Sequence, residues 1–433
     1  MACRLGSHCR PIDLIAIAEV SMQQLKWAPL DWKVSSSQLA WIFGISILIK
    51  TAILFLILPA FQGASPGNYE ADKFPDWYDL LAMNIASGNG YRFFPDTTET
   101  MLRTPAWPLV LAGIFKVFGP SILAVKNLDI LLSMGGAWLI LAALIAFFHP
   151  AVLIADSRGG VESFTMFFIV VFMVLAYRAF DDNSLRKYVE AGVVLGVLLL
   201  IKSTAVMFAP CVFLYKFLKQ PNLAGTVKAI LATGVMSIAA TVVLTPWIVR
   251  NYVLSGEFVP TMSVGGMSAY SGYYIANNRY TGKDQHVLDL EASNEMGRVA
   301  EQMGLRHRPG YYTQFYTIAD EVKFYGRLGE IVWQKYREEP GAFQTALFEN
   351  AIGFWIRGRS AKATQLNMVL VIPFLALTVV GVAVGWKYAR PVLPLALMIV
   401  AYYAVHIPIL GQARYHVPLI PVMAVLLVLG LVP

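Results

Sequence analysis

Long apolar runs limit what this chain can fold into more than any other feature of its sequence. Runs of roughly 17–25 apolar residues have the length of helices that cross a bilayer, and such runs recur along most of the 433 residues. Only 14% of the residues are charged, whereas a soluble protein carries about 25%. We therefore predict an all-α integral membrane protein with about ten transmembrane helices.

The predicted helices divide the chain into four parts. Residues 1–38 form a polar N-terminal arm, and 39–250 hold the first seven transmembrane helices. Residues 251–364, called the polar region below, are predicted to be mostly helical and external, and 365–433 hold the last three transmembrane helices. The ten spans are predicted at residues 39–60, 105–118, 121–148, 160–179, 189–201, 204–218, 229–249, 366–385, 391–408 and 416–433.

Three segments of the polar region have apolar residues at helical spacing: 286–304, 315–337 and 340–356. The third is also aromatic, which favours a helix lying on the membrane surface. The tyrosine-rich stretch before them, SVGGMSAYSGYYIANNRY, has no role that its residues define.

Basic residues orient the predicted helices, because cytoplasmic loops carry an excess of lysine and arginine. With the N-terminal arm inside, most short-loop cations fall on the cytoplasmic side: Arg178, Arg186, Lys187, Lys216, Lys219, Lys228, Lys387 and Arg390. The net charge of +7 then reflects these loops, and no nucleic-acid partner is expected. The first loop, residues 61–104, and the polar region lie outside. Either Met1 or Met22 could be the start of the protein.

Five cations at span ends share the outer side instead: Arg103, Arg158, Lys202, Arg250 and Arg414. Cations of short loops are unusual on that side, and charges at a membrane boundary are functional candidates. Together they predict an anion site, because a guanidinium can hold a phosphate through two parallel hydrogen bonds. The alternatives are that Arg103 and Lys202 are interface anchors, and that Arg414, Tyr415 and His416 form a simple turn.

Six carboxylates are concentrated in the first loop: Glu70, Asp72, Asp76, Asp79, Asp96 and Glu99. Asp76 begins a segment with apolar residues every three to four positions, so it lies near the first turn of a predicted amphipathic helix. A carboxylate there could accept the proton of an acceptor hydroxyl, or it could merely cap the helix. Asp72 is the competing candidate, and Asp79 and Asp96 are expected to be solvated or to form turns.

Glu162 is an acidic residue at the start of a predicted transmembrane helix. An ionisable group there costs on the order of 2–3 kcal/mol unless it faces a polar cavity, so Glu162 is a further candidate for catalysis. Favourable placement at a helix N-terminus is the alternative explanation. Asp76 and Glu162 could also hold Mg²⁺ or Mn²⁺ through oxygen ligands, but nothing in the sequence demands a metal.

Five segments carry a resemblance to known proteins: DWYDLLAMNIASGNGY, RTPAWPLVLAGIFKVFG, VESFTMFF, TPWIVRNYVLSGEFVP and ARYHVPLIPVM. In their order and spacing, over about residues 39–430, they resemble the membrane glycosyltransferases of the GT-C superfamily. The resemblance is to the family 39 type, the group of protein mannosyltransferases and aminoarabinose transferases. It implies a polyprenyl-phosphate-linked sugar as donor, contact with membrane lipid, and an undefined acceptor. It also implies an active site on the outer face of the bacterial inner membrane.

The resemblance also assigns roles to residues. An acidic residue of the first loop acts at the reaction centre of such enzymes, which implies Asp76, or Asp72 if the register slips. A second acidic position corresponds to Glu162. The first loop lacks the adjacent Asp-Glu pair of some relatives, which leaves the base open. The residues that would bind the lipid phosphate are Arg103, Lys202, Arg414, Tyr415 and His416.

Two other functions are compatible with a membrane protein of this composition. One is a transporter or flippase of lipid-linked envelope intermediates, and the other is a non-catalytic subunit of an envelope complex. A transporter of this kind would need charges near the bilayer midplane and an inverted repeat. The sequence has no clear repeat and its charges concentrate at one boundary, so a glycosyltransferase is favoured.

Overall fold

Apolar helices make up most of the chain that the structure describes. The structure is a computed structural model that describes residues 36–57, 77–134, 145–157, 160–182, 184–308, 313–386 and 392–431. Its α-helices are α1 (Ser36–Ala52), α2 (Tyr78–Ala86), α3 (Ala106–Phe118), α4 (Ile122–Met134), α5 (Pro150–Ser157), α6 (Glu162–Asp182), α7 (Leu185–Ile201), α8 (Phe208–Lys219), α9 (Leu223–Ser255), α10 (Gly265–Asn278), α11 (Gln285–Gln302), α12 (Ile318–Glu338), α13 (Pro340–Ile356), α14 (Ala361–Gly385), α15 (Val392–His406) and α16 (Ile420–Leu431). A π-helical turn, Ile53–Ile57, extends α1, and the 3-10 helices are Ser203–Met207, Arg279–Thr281 and Ala413–Leu419. Two short strands, β1 (His307–Arg308) and β2 (Gln314–Phe315), pair in antiparallel fashion.

Three helices of the described chain are long and apolar enough to cross a membrane, judged from length and composition: Glu162–Phe180 within α6, Leu223–Ser255 and Ala361–Gly385. Shorter apolar helices lie at Gly44–Ile57, Ala106–Phe118, Val392–His406 and Ala413–Val428. The all-α membrane fold is thereby confirmed. The number of ten spans stays a prediction, as does the division of the chain into four parts.

Close packing of α7 against α9 depends on two glycines. A Cβ atom on Gly192 would lie 2.3 Å from the Met236 carbonyl oxygen, and one on Gly196 would lie 2.8 Å from that of Ala240. Small residues four positions apart let two helix backbones approach closely within a membrane. The chain leaves α7 at Lys202, which is extended (φ −147°, ψ 109°).

A second hydrophobic core joins the first loop to the polar region. Leu81 and Phe93 of the first loop pack in one cluster with Phe315, Phe324 and Leu328 of the polar region. All five side chains are almost completely buried. The described part of the first loop is therefore folded together with the polar region rather than extending into solvent.

The carboxylate of Glu321 fastens the end of the first loop to α12. It accepts hydrogen bonds from the Thr100 hydroxyl (2.7 Å), the Met101 amide (2.9 Å) and the Ser263 hydroxyl (2.9 Å). Burial raises the pKa of this carboxyl, although these bonds and the charge of Arg250 favour its ionised form. Glu321 thus satisfies donors from two separate stretches of chain at one buried point.

The helices of the polar region lie close to where its apolar spacing predicts them. The segments 286–304, 315–337 and 340–356 correspond to α11, α12 and α13. The tyrosine-rich stretch, which the sequence left without a defined role, forms α10. That helix packs closely on α12 at Gly266, where a Cβ atom would lie only 1.8 Å from the Tyr325 carbonyl oxygen.

Candidate functional site

A cavity lined by both apolar and charged residues lies where the apolar helices meet the polar region. Its walls come from α5, the start of α6, α11, the loop between α13 and α14, the start of α14, and the 3-10 helix Ala413–Leu419. Water-sized groups have about 170 Å³ of space in it, more than ten times the roughly 10–15 Å³ that one water needs. The charged residues that line it are Glu162, Asp289, Arg357, Arg359 and Arg414.

Arg357 is a fixed part of the cavity wall. Its guanidinium donates to the Glu349 carboxylate (3.0 Å) and to the Gly411 carbonyl (3.3 Å). Burial lowers its pKa to about 10, so it remains charged at neutral pH. Arg359 is exposed and Arg414 is half-buried. The cavity therefore combines one cation held by the fold with two that are more accessible to a ligand.

Glu162 is held at the cavity by the first turn of α6. Its side chain is buried, and the hydroxyl of the following residue, Ser163, donates to the Asp156 carboxylate at the end of α5. Asp156 also forms an ion pair with Lys50 of α1. The start of α6 is thus anchored to two other helices, which fixes the position of Glu162.

His416 lies in the same wall with one ring nitrogen engaged. Its Nδ1 is 3.3 Å from the Phe354 carbonyl oxygen, and its ring stacks on Trp355 at 5.8 Å. Since a carbonyl only accepts, Nδ1 carries the hydrogen and Nε2 is an acceptor in the neutral ring. Nε2 is buried and has no hydrogen-bond partner in the described chain.

Tyr415 lies between two cations beside the cavity. The Lys202 ammonium is 4.7 Å from the centre of the Tyr415 ring, and the Arg414 guanidinium carbon is 5.3 Å from it. Contacts of this kind stabilise a cation over the face of an aromatic ring. The ring therefore places Lys202 next to the cavity that Arg414 lines.

Arg103 lies next to a hydrogen bond that links the end of the first loop to the end of α7. The Thr104 hydroxyl donates to the Ile201 carbonyl (2.7 Å), which brings Arg103 and Lys202 onto adjacent segments. The Arg103 guanidinium lies 5.4 Å from the ring of Tyr78. Neither Arg103 nor Lys202 is among the described residues that line the cavity.

The described part of the first loop begins at Trp77. Asp72 and Asp76 therefore lie outside the described residues. Trp77 has a left-handed backbone (φ 58°), which is uncommon for a residue other than glycine. It occupies the N-cap position of α2 without a side-chain capping bond. Glu70 and Arg158 also lie outside the described residues. That Asp72 or Asp76 reaches the cavity stays a prediction.

Asp79 differs from its expectation. It was expected in solvent or in a turn, but it is buried in the first turn of α2. The reason is that α2 is covered on two sides. Tyr78 packs in the large hydrophobic core among the apolar helices, and Leu81 packs in the second core. Asp96 is 56% exposed and pairs with Arg308 at 2.9 Å, as a solvated residue would.

The sequence analysis missed six polar residues that line the cavity: Gln285, Asp289, Arg357, Arg359, Asn367 and Gln412. Arg357 and Arg359 directly precede α14, so the criterion of cations at outer span ends could have found them. Gln285 and Asp289 lie on an ordinary amphipathic helix, and no sequence signal separates them from its solvated face.

Glu162 is the one of the two proposed metal ligands that the structure describes. Of the two proposed ligands, Asp76 lies outside the described residues. Within the described chain, no group of three or more histidine, cysteine, aspartate or glutamate side chains is arranged to hold a metal. Binding of Mg²⁺ or Mn²⁺ by Asp76 and Glu162 therefore stays a prediction.

Known proteins resemble this chain in structure rather than in sequence. No protein-family profile and no curated protein matches it. The archaeal oligosaccharyltransferase AglB from Archaeoglobus fulgidus, in complex with an inhibitory peptide and a dolichol-phosphate, is similar with a TM-score of 0.51 and 15% identity. The similarity covers 92% of this chain and 50% of AglB, so the chain spans about half the length of that protein.

ArnT from Cupriavidus metallidurans is a weaker likeness. Bound to undecaprenyl phosphate it has a TM-score of 0.39 and 14% identity, and in the apo state 0.37 and 15%. Each covers 91% of this chain and 78% of ArnT. The likeness to AglB shows a shared fold, in agreement with the resemblance to the GT-C superfamily. The narrower family 39 type stays a prediction.

Proposed function

We propose that this protein transfers a sugar from a polyprenyl-phosphate carrier to an acceptor at the outer face of the membrane. The observation that carries the proposal is one cavity, at the boundary between the apolar helices and the polar region, that Glu162, Arg359 and Arg414 all line. The fold shared with AglB, whose structure contains a dolichol-phosphate, supports it. The bacterial inner membrane and the predicted ten-span topology belong to the same proposal.

The cations of the cavity would bind the phosphate of the donor. Arg414 and Arg359 line the cavity, and Lys202 lies next to it against Tyr415. A guanidinium at a membrane boundary can hold a phosphate through two hydrogen bonds while the lipid chain stays between apolar helices. Arg103 would add a further positive charge from the side of the first loop.

The transfer itself needs a base and a stabilised leaving group. A carboxylate takes the proton from the acceptor hydroxyl as its oxygen bonds to the anomeric carbon of the sugar. The bond from that carbon to the phosphate oxygen breaks, and polyprenyl phosphate leaves with its added negative charge stabilised by the arginines. One attack of this kind inverts the anomeric centre. We assign the base to Asp76 or Asp72, with Glu162 as the second carboxylate.

The test is incubation of the purified full-length protein with polyprenyl phosphates carrying a radiolabelled hexose or pentose. Release of polyprenyl phosphate together with a labelled product, dependent on added acceptor or on water, supports the proposal. Transport of intact labelled donor across proteoliposomes without cleavage would instead identify a transporter. An EDTA arm with Mg²⁺ or Mn²⁺ added back tests the metal. If no donor is cleaved and none is bound, the proposed function is wrong.

A further inference from the structure

Two side chains of α11 form a polar pair inside the cavity. Gln285 and Asp289 both line it, and they lie on one face of the helix because they are four residues apart. The Gln285 amide nitrogen donates to Asp289 Oδ1 at 3.0 Å. Gln285 is only 3% exposed, so this pair is part of the wall rather than of the solvated surface.

The amide oxygen of Gln285 has no partner in the described chain. Gln285 Oε1 is buried and accepts no hydrogen bond. Its orientation follows from chemistry, since the carboxylate of Asp289 only accepts and the amide nitrogen must therefore face it. A buried acceptor left unsatisfied costs about 1–3 kcal/mol. The site is therefore built to receive a hydrogen-bond donor at this point.

The charges around Gln285 and Asp289 limit which hydrogen-bonding group of a ligand can bind there. Three arginines, Arg357, Arg359 and Arg414, outnumber the two carboxylates, Glu162 and Asp289, that line the same cavity. An ammonium group brought there would therefore meet an excess of positive charge. A neutral hydroxyl can donate to an amide oxygen or a carboxylate without that repulsion. A ligand that carries hydroxyls next to a phosphate can donate hydrogen bonds to Gln285 and Asp289 while its phosphate binds the arginines.

We propose that Gln285 and Asp289 bind hydroxyl groups of the sugar on the donor, which makes α11 a determinant of which sugar is transferred. This inference rests on the proposed function, because it takes the phosphate of the same donor to lie at the arginines. It adds that the sugar is neutral and polyhydroxylated, and that it is recognised by the polar region rather than by the apolar helices. Gln285 and Asp289 act in binding and do not carry the chemical step.

The test compares two ligands that differ only in the sugar. The first is bare polyprenyl phosphate, for which Kd is measured, and the second is the polyprenyl-phosphate hexose that the wild-type protein cleaves, for which KM and kcat are measured. Gln285→Leu is expected to raise KM for the hexose donor roughly tenfold and to leave the Kd of the bare lipid unchanged. Asp289→Asn, which keeps the side-chain volume, is expected to act in the same direction.

Donors that lack one sugar hydroxyl identify the contact. A deoxy donor whose missing hydroxyl is the one bound should have the same KM with wild type and with Gln285→Leu, since the interaction is already absent. The matched control is Gln302→Leu, at the exposed end of the same helix, which should change neither Kd nor KM. Thermal unfolding of each variant shows whether the fold is kept.

The outcomes separate this inference from the proposed function. If both variants fold and leave KM for the hexose donor unchanged, or raise the Kd of the bare lipid by the same factor, the sugar-binding role is wrong while the transferase remains. If the wild-type protein neither binds nor cleaves any polyprenyl-phosphate donor, the proposed function fails and takes this inference with it.

Discussion

The Lys50 ammonium lies 2.5 Å from Asp156 Oδ2, and both side chains are completely buried. Oδ1 of the same carboxylate accepts from the Ser163 hydroxyl. One carboxylate thus joins α1, the end of α5 and the first turn of α6. Because Glu162 precedes Ser163, the ion pair stabilises the helix start that carries a proposed catalytic residue.

Replacing Lys50 should therefore destabilise the protein strongly. Lys50→Met removes one partner of a completely buried ion pair, which typically costs about 3–5 kcal/mol. Denaturant unfolding of the purified protein in detergent measures the loss. Arg186→Ala is the matched control, because its ion pair with Glu190 is exposed (88% and 42%) and is worth less than about 1 kcal/mol. Equal losses for the two variants would show that the buried pair does not stabilise the fold.

The sequence predicts those parts of this molecule that depend on local pattern. Apolar runs and helical spacing locate most helices, and the criterion of charges at outer span ends finds Glu162 and Arg414, which the structure brings to one cavity. Lys50 shows the limit, because a lysine within an apolar run has no visible partner until tertiary structure brings Asp156 to it. Gln285 is hidden for the same reason, since only the packing of α11 on the cavity distinguishes it.

The base of the transfer reaction can be identified by two single substitutions. Asp76→Asn and Asp72→Asn each remove a proton acceptor at nearly constant volume, and we expect one of them to lower transfer by about 100-fold or more. The assay is release of polyprenyl phosphate from labelled donor at equal protein expression. Asp96→Asn is the control in the same loop, since Asp96 is 56% exposed, and its activity should be close to wild type. Full activity in both test variants would rule out either residue as the base.

Binding of the donor phosphate should depend on the geometry of Arg414 as well as on its charge. Hydrogen bonds to a charged group contribute about 1.5–3 kcal/mol, so Arg414→Ala should raise the Kd of bare polyprenyl phosphate by about 10-fold to 150-fold. Arg414→Lys keeps the charge but loses the planar guanidinium that can donate two parallel hydrogen bonds. Its Kd should therefore lie between those of the wild type and Arg414→Ala. Titration of the lipid in nanodiscs gives all three values.

The control for this series is Arg308→Ala. Arg308 is also an arginine of the polar region, but it pairs with Asp96 at 2.9 Å and does not line the cavity. Its removal should leave the Kd of polyprenyl phosphate unchanged. An Arg414→Ala variant that binds the lipid as tightly as this control would place the phosphate elsewhere.

Glu321 gives a stability prediction with a defined dependence on pH. Burial raises its pKa above the ordinary value of 4.5, so the folded state binds the proton more tightly than the unfolded state does. The free energy of unfolding that this group contributes therefore falls as pH rises from 4.5 through the raised pKa, and it is constant above that. Unfolding measured from pH 4.5 upward should show this fall.

Removing one hydrogen-bond donor to the Glu321 carboxylate should make the free energy of unfolding decrease more steeply as pH rises. Ser263→Ala deletes a hydrogen bond of 2.9 Å to Glu321, which is worth about 1.5–3 kcal/mol when the acceptor is charged and about 0.5–1.5 kcal/mol when it is neutral. The cost of the substitution should therefore grow as pH rises. Ser255→Ala deletes a bond of 2.8 Å to the neutral Asn251 carbonyl, so its cost should not change with pH. If the Ser263→Ala cost is equally constant, Glu321 does not change its charge over that range and the link between its burial and the stability of the first loop is wrong.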